Sequence, residues 1–389
     1  MLCFAGPNSF TGEDVVELQG HGGPVVLAAL LATLVERGAR IAQPGEFSER
    51  AFLNGRIDLA QAEAIADLID AASVQAVHAA QKTLDGAFSE RLHTAASALT
   101  DLRVFVEGAL DFSDEDIDWL ADAKLAERLH ALEALIAQTQ LEAAQGRRLR
   151  EGLTVAIVGQ PNVGKSTLLN ALAGFDAAIV SEHAGTTRDA LREHLVLGGL
   201  PVTVIDTAGL RDTIDPVEQE GIRRARAALE KAELAVFVVD DRTGITAADE
   251  ALLHSLPPMP RLVVRNKCDL ANNPPSVFDD SGVRTVRLAA KSGAGLALLS
   301  DELQSQAGFT SGGEGVFLAR ARHLEALAAA ALHLQHARKQ LAARNHAEIR
   351  FQSAIHVLDR LSATRAGAGI RSSSSSSTPH SLTRARMRW

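Results

Sequence analysis

The sequence has little of what extracellular, metal-thiolate and membrane proteins need. Only two cysteines occur among 389 residues, Cys3 and Cys268, and their spacing fits neither a disulfide framework nor a thiolate zinc site. No apolar run reaches the roughly 18 residues of a membrane helix, and no charged-then-apolar signal segment opens the chain. The composition therefore predicts a cytoplasmic protein with no membrane partner.

Aromatic residues and net positive charge are also scarce. Tyrosine is absent and aromatics make up 4% of the residues, so stacking platforms for single-stranded nucleic acid are few. The net charge of −9 provides no overall field that would attract a nucleic acid. By contrast, the apolar share of 46% supplies core material for about two to three domains.

The apolar pattern changes along the chain in a way that predicts an inserted domain. Residues 1–55 mix a short alternating run with glycine-rich turns, as in an α+β unit whose first strands are missing. Residues 56–151 have helical apolar spacing, residues 152–309 alternate strands with helices, and helical spacing returns over residues 316–347. We therefore predict a mostly parallel α/β domain inserted into an α-helical domain, preceded by a partial α+β N-terminal domain.

The two segments after residue 309 carry further expectations. The second helical segment is predicted to begin at Phe317 and to continue to about Ala343. Residues 348–389 contain a six-serine run, and from Phe351 onwards six arginines stand against one acid, Asp359. This composition predicts a disordered, basic tail. A nucleic-acid arm and a non-native end from a shifted reading frame both fit it, and we favour the second.

A phosphate-binding loop is predicted at Gly159–Ser166, which reads G-Q-P-N-V-G-K-S between the apolar strand Leu153–Val158 and an apolar helix. Backbone N–H groups of such a loop surround phosphate oxygens, and the helix N-terminus adds partial positive charge. Lys165 is predicted to reach the β and γ phosphates, and Ser166 to ligate Mg²⁺. The nucleotide-binding residues predicted here are Asn162, Val163, Gly164, Lys165, Ser166 and Thr167.

Two further segments lie at the ends of apolar strands and, with a third and weaker signal, complete a predicted GTP and GDP site. In Asp206-Thr207-Ala208-Gly209, Asp206 is predicted to hold the Mg²⁺ shell and the Gly209 N–H to sense the γ-phosphate. In Asn266-Lys267-Cys268-Asp269, the carboxylate of Asp269 can accept from two guanine donors that adenine lacks, which favours GTP over ATP. A weaker signal places the last guanine-contacting loop at Ala289, Ala290 and Lys291.

The catalytic residue is left open by the motifs alone. Thr186 and Thr187 lie between the phosphate loop and Asp206, where a switch threonine completes the Mg²⁺ shell; an ordinary surface loop is the alternative. Many P-loop GTPases place a water-orienting glutamine where this chain has Leu210, which cannot orient water. The acids of the following loop are the candidates: Asp212, Asp215, Glu218 and Glu220.

Outside these motifs, the chain resembles the MnmE (TrmE) family of GTPases that modify the wobble uridine of bacterial tRNA. The resemblance extends from about Phe4 to Ala343. It is carried by Gly6–Asp14, Leu18–Pro24, Pro44–Leu53, Asp58–Ala64 and Ala184–Asp189.

The resemblance implies a K⁺-stimulated GTPase. K⁺ would be held by Asn162, Ser181, His183 and Thr186, and would offset charge developing on the transferring phosphate. Ser181, Thr186 and Thr187 join the implied GTP site, with Thr187 and Ser166 as Mg²⁺ ligands. The resemblance also selects Glu218 as the residue that orients the attacking water.

The resemblance further implies homodimers formed through the N-terminal domain, which binds a formyl-tetrahydrofolate at Glu17 and Arg56. With the flavoprotein MnmG, the family adds a carboxymethylaminomethyl-type group at C5 of the tRNA wobble uridine. This chain starts inside the family's N-terminal domain and lacks its C-terminal cysteine motif. A truncated product that keeps GTP hydrolysis without modification activity is therefore one alternative. A GTP-binding switch for ribosome assembly, which would share the core GTPase motifs, is the other.

Overall fold

A computed structural model describes residues 1–111, 123–175, 192–206, 229–280, 282–310, 316–342 and 385–386. The chain divides into two compact units. The first unit comprises Met1–Ile69, Gln81–Gln140 and Arg322–Trp389, and the second comprises Asp70–Ala80 and Leu141–Ala321. Within the described ranges, no helix combines the length and the apolar character needed to cross a bilayer.

The first unit opens with a small three-stranded sheet. Strand β1 (Leu2–Phe4) pairs antiparallel with β2 (Val15–Glu17), and β10 (Ala385–Arg386) pairs with the other edge of β2 in parallel. Two residues of the predicted disordered tail are therefore in a strand, and the rest of that tail lies outside the described residues. The β1–β2 loop is fastened to the end of the helix Glu46–Leu53, because the side chain of its C-cap residue Asn54 donates to the Thr11 carbonyl at 2.7 Å.

Helices form the rest of the first unit. The described helices that contribute to it are α1 (Pro24–Glu36), α2 (Glu46–Leu53), α3 (Leu59–Ile69), α4 (Val74–Leu84), α5 (Ala87–Asp111), α6 (Ala123–Glu151) and α10 (Ala321–Ala342). Leucines and alanines at three- and four-residue spacing are buried along α5, α6 and α10, as the helical pattern predicts. Helix α10 contacts its neighbours through a ring contact between His323 and Phe88 and an ion pair between Arg338 and Glu133.

Helix α10 begins at Ala321, four residues later than the apolar pattern predicts. Phe317 and Leu318 are buried without being helical. The reason is a close packing against α6, where a Cβ on Gly146 would lie 1.7 Å from the Phe317 carbonyl oxygen. The segment before α10 therefore packs its backbone closely against α6 and buries Phe317 and Leu318 within the second unit without forming a helical face.

The second unit is built on a seven-stranded sheet of order β4-β5-β3-β6-β7-β9-β8. Its strands are β3 (Leu153–Val158), β4 (Arg192–Leu197), β5 (Leu200–Asp206), β6 (Leu234–Asp240), β7 (Arg261–Asn266), β8 (Ser276–Asp280) and β9 (Val283–Arg287). Its described helices include α7 (Lys165–Phe175), α8 (Ala247–Ser255) and α9 (Leu296–Gln306). The five inner strands are mutually parallel, which confirms the predicted α/β class, and both edge strands pair antiparallel with their neighbours.

The end of α6 belongs to the second unit and is fastened to the residues that follow α9. The Gln145 side chain donates to the Gly308 carbonyl at 2.6 Å and accepts from the Thr310 N–H at 2.9 Å. The side chain of Arg148, one turn further on, pairs with Glu233 at 2.6 Å. The chain thus enters and leaves the α/β sheet close to one place.

Candidate guanine-nucleotide site

The predicted nucleotide-binding segments meet at the carboxyl ends of neighbouring parallel strands. The phosphate loop follows β3, Asn266 ends β7, and the segment Leu288–Lys291 follows β9. Strand β6, which ends in Asp240, lies between β3 and β7. In open α/β sheets, ligands bind in the crevice outside these strand ends, so the topology alone brings the motifs to one place.

The phosphate loop needs its two glycines for steric reasons. Gly159 has φ 155° and Gly164 has φ 99°, both in the region that side chains disfavour. A Cβ on Gly159 would lie 2.3 Å from the Val238 carbonyl oxygen, and one on Gly164 would lie 2.4 Å from Asn266 Nδ2. The loop can therefore approach Val238 of β6 and Asn266 of β7 this closely only with glycine at these two positions.

The side chain of the loop lysine, Lys165, folds back onto the backbone of the phosphate loop. Lys165 begins α7, and its ammonium group donates to the carbonyls of Gly159 at 2.8 Å and Gln160 at 2.9 Å. Because the first N–H groups of a helix have no intrahelical partner, the start of α7 adds donors beside this ammonium. Backbone donors, a helix N-terminus and a lysine together make an anion site suited to phosphate.

Asn266 joins three loops of the site from a buried position, 2% exposed. Its side-chain NH₂ donates to the Val163 carbonyl at 2.9 Å. Its Oδ1 accepts from the Lys267 N–H at 2.8 Å and from the Ala290 N–H at 3.0 Å. We call this set of contacts the Asn266 junction. It links the phosphate loop to both segments that are predicted to contact guanine.

A second link runs through Lys267, which has φ 64°. Its ammonium donates to the Asn162 carbonyl at 2.6 Å and to Asp240 Oδ2 at 2.9 Å. Asp240 also accepts from the Arg242 side chain, at 2.9 Å on Oδ1 and 2.6 Å on Oδ2. These bonds, from Arg242 first and then from Lys267, hold the pKa of the Asp240 carboxyl well below its usual range.

The motifs did not identify Asp240, although the pattern contains a signal for it. The residue is an acid at the end of an entirely buried strand, and that strand lies between the two strands that carry the phosphate loop and Asn266. An acid at this sheet edge is where parallel topology gathers functional groups.

The remaining described residues of the guanine segments have clear positions. Cys268 is buried, its N–H donates to the Leu288 carbonyl at 3.1 Å, and burial raises the pKa of its thiol, helped by Asp241 and Asp269. Asp269 and Lys291 are exposed, whereas Ala289 and Ala290 are buried. The exposed carboxylate of Asp269 thus lies next to a tightly held backbone, as the predicted contact with guanine requires.

The predicted metal and catalytic residues are described only in part. Ser166 and Thr167 are exposed in the first turn of α7, and Asp206 ends β5 in register with Ile157 of β3. A serine hydroxyl and an aspartate carboxylate are oxygen ligands of the kind that Mg²⁺ prefers, so these two residues fit the predicted metal. The other predicted residues lie outside the described part of the chain: Ser181, His183, Thr186, Thr187, Thr207, Ala208, Gly209 and Glu218.

The two predicted folate-contacting residues lie in the first unit. Glu17 is a buried residue of β2. Arg56 is exposed, and its stem packs over Gly12, where a Cβ would lie 3.1 Å from Arg56 Cγ. The structure therefore places Arg56 beside the loop that leads into β2, and the folate contact itself stays a prediction.

Comparison with known proteins gives two family matches. The family model described as "MnmE helical domain" matches residues 59–365, which is more than half of the chain. The model described as "GTP-binding protein TrmE N-terminus" matches residues 1–56. Among solved structures, Era from Aquifex aeolicus, bound to GDP and aluminium fluoride, is 26% identical with a TM-score of 0.31, covering 46% of this chain and 66% of that one.

Curated relatives match over most of the chain. The tRNA modification GTPase MnmE of Chromobacterium violaceum is 54% identical over 336 residues, covering 86% of this chain and 75% of the relative. The MnmE of Sodalis glossinidius is 53% identical over 354 residues, covering 90% and 78%. These matches confirm the predicted resemblance and the predicted enzyme class. The chain therefore belongs to the MnmE family of tRNA modification GTPases.

Proposed function

We propose that this chain binds and hydrolyses GTP with Mg²⁺, and that hydrolysis serves modification of the tRNA wobble uridine. The observation that carries the proposal is the Asn266 junction, which holds the phosphate loop and both guanine segments together. Family membership supports the tRNA substrate, since the curated relatives are named tRNA modification GTPases. The chain spans about three quarters of the length of these relatives.

Each group of the site has a proposed role. Backbone N–H groups of the phosphate loop and the Lys165 ammonium bind the phosphates, and Asp269 accepts hydrogen bonds from guanine. Mg²⁺, held by Ser166, Thr187 and the shell of Asp206, supplies positive charge that neutralises the phosphate oxygens. Glu218 orients the attacking water, the role that Leu210 cannot fill.

Potassium is the proposed activator, with Asn162, Ser181, His183 and Thr186 as its ligands. The structure supports Asn162 because this residue is exposed in the phosphate loop with φ 62°. Its backbone carbonyl accepts a hydrogen bond from the Lys267 ammonium, so the backbone from which its side chain extends is restrained. A cation at this place would add positive charge beside the phosphates.

We further propose that residues 1–55 form a folate-binding and dimerisation domain, residues 56–151 with 316–347 a helical domain, and residues 152–309 the GTPase domain. A carboxylate such as Glu17 suits the amino group of a pterin ring, and a guanidinium such as Arg56 suits the carboxylates of a folate. Formyl-tetrahydrofolate would supply the one-carbon unit, and MnmG would be the partner enzyme. Dimerisation is supported by α1, whose Val25 is 79% exposed.

The first test is GTP turnover in K⁺ and in Na⁺ at matched ionic strength, with ATP as the comparison substrate. We expect turnover of GTP alone, faster in K⁺, and a loss of at least tenfold in Glu218→Gln, with Glu220→Gln as the matched control. Equal rates in both salts would refute the K⁺ role. Failure to bind GTP would refute the proposal as a whole.

A second test measures wobble-uridine modification of tRNA with added MnmG. Modified tRNA would support the complete function. GTP turnover without modification would favour a product that keeps only the GTPase activity, and co-sedimentation with a ribosomal subunit would favour the assembly switch.

A further inference from the structure

The carboxylate at the end of β6 belongs to none of the nucleotide-binding motifs, yet it lies between two of them. We propose that Asp240 is a positioning residue for the guanine nucleotide: it holds the Lys267 ammonium on the Asn162 carbonyl and thereby slows nucleotide release. This inference rests on the proposed function, because it concerns the same site.

The geometry shows what the carboxylate does. Two of the three ammonium donors of Lys267 are in use, one on the Asn162 carbonyl at 2.6 Å and one on Asp240 Oδ2 at 2.9 Å. The side chains of Lys267 and Asp240 are 26% and 11% exposed, so water screens the pair only in part. A lysine side chain is long and flexible, and the carboxylate restricts it to the conformation that reaches the phosphate loop.

The two residues joined through this ammonium both need support. Asn162 has φ 62° and Lys267 has φ 64°, which are uncommon values for residues with side chains. Such conformations persist where the surroundings hold them. The bond from the Lys267 ammonium to the Asn162 carbonyl ties the side chain of one of these residues to the backbone of the other, and Asp240 holds that ammonium in place. Without the carboxylate, the phosphate loop and the guanine segment would lose one of their two described links.

Arg242 provides a control, because it binds the same Asp240 carboxylate without hydrogen bonding to the phosphate loop in the described structure. It binds the same carboxylate through its side chain, and its backbone N–H donates to Asp240 Oδ1 at 3.1 Å. Its own side chain is half exposed, and its described hydrogen bonds go to Asp240 alone. Loss of the Arg242 side chain would leave the Lys267–Asp240 contact in place.

The experiment measures dissociation of mant-GDP from the full chain, chased with unlabelled GDP in a stopped-flow instrument. We expect Asp240→Asn to release the nucleotide about tenfold faster, which corresponds to about 1.4 kcal/mol. Asp240→Glu, which restores the charge on a longer stem, should recover part of this effect. Arg242→Ala should remain within about twofold of the wild-type rate.

A double-mutant cycle tests whether Asp240 acts through Lys267. Lys267→Ala should itself speed release, and adding Asp240→Asn to it should change the rate no further. Fully additive effects would overturn the inference, because they would mean that Asp240 supports the fold independently of Lys267. Thermal unfolding of each variant identifies any that fails to fold, and Asp240→Glu then carries the test.

The outcomes also separate this inference from the function on which it rests. Mant-GDP binding by the wild-type chain with an unchanged release rate in Asp240→Asn would overturn the inference alone. No binding by the wild-type chain would overturn both.

Discussion

Asn266 makes three hydrogen bonds from a buried position, and alanine at this position would remove all of them at once. At about 1 kcal/mol net for each neutral hydrogen bond, the bonds themselves account for about 3 kcal/mol of stability. The substitution also leaves the Val163 carbonyl and the Ala290 N–H without this partner, in residues that are themselves buried. Unsatisfied buried groups cost about 1–3 kcal/mol each, although water from the crevice would relieve part of that cost. We therefore expect Asn266→Ala to destabilise the second unit by about 3–5 kcal/mol.

The loss of stability should be largest in the strands next to the Asn266 junction. Native-state hydrogen exchange of the β7 and β9 amides reports the free energy of opening this part of the sheet. Asn170→Ala is the matched control, because Asn170 is an exposed residue of α7 in the same unit. A change of less than about 1 kcal/mol in Asn266→Ala, or an equal loss in Asn170→Ala, would refute the reasoning from the junction.

Three further outcomes follow from buried groups. In the native chain at pH 8, a thiol reagent should modify the exposed Cys3 quickly and the buried Cys268 only after denaturation; fast reaction of both would contradict the described burial. Burial raises the pKa of the Cys268 thiol, so the stability that the protonated thiol contributes is present below the unfolded thiol pKa of about 8.5 and is lost as pH rises further. Urea unfolding between pH 7 and 10 would measure this loss. Cys268→Ala should reduce the loss of stability at alkaline pH, and an unchanged slope would contradict the assignment. Gly146→Ala should lower the free energy of unfolding by at least about 2 kcal/mol, because the new Cβ would clash with the Phe317 carbonyl. Gly174→Ala in α7 is the control, since its Cβ would enter open space and should leave stability unchanged or raise it. Equal effects of the two substitutions in thermal unfolding would contradict the packing.

Much of the second unit could be predicted from local pattern because its strands are short, apolar and followed by recognisable loops. The predicted strand Leu153–Val158 matches β3 at both ends. The antiparallel edge strands could not be predicted in this way, since they break the alternation of strands with helices. The β4–β5 connection is a two-residue turn, Gly198–Gly199, with positive φ at both residues, which is the turn geometry of a hairpin.

The remaining differences come from contacts between residues distant in sequence. The sequence predicts a helical stripe from Phe317 onwards because apolar spacing cannot distinguish a helix face from a buried extended segment. The partner of Phe317, Gly146, is 171 positions earlier and has no side chain to mark the contact. Asp240 was missed for a similar reason, since its importance depends on Lys267, which lies in another motif at a neighbouring strand end. The identities of the nucleotide-binding residues were thus predictable, but the hydrogen bonds that hold them together were not.

The division of the first unit by an inserted segment affects the order in which the protein is synthesised. Helix α5 and the part of α6 up to Gln140 leave the ribosome before the segment Leu141–Ala321, while the part of α10 from Arg322 onwards, which contacts them through His323 and Arg338, follows it. At about 5–20 residues per second, that segment takes on the order of 10–40 s to translate. During this interval the apolar faces of α5 and α6 lack the contacts that α10 later provides, whereas Leu141–Ala321 can already fold. The helical packing of the first unit is therefore completed only after the inserted segment has been made, so nascent α5 and α6 are where a chaperone would be needed.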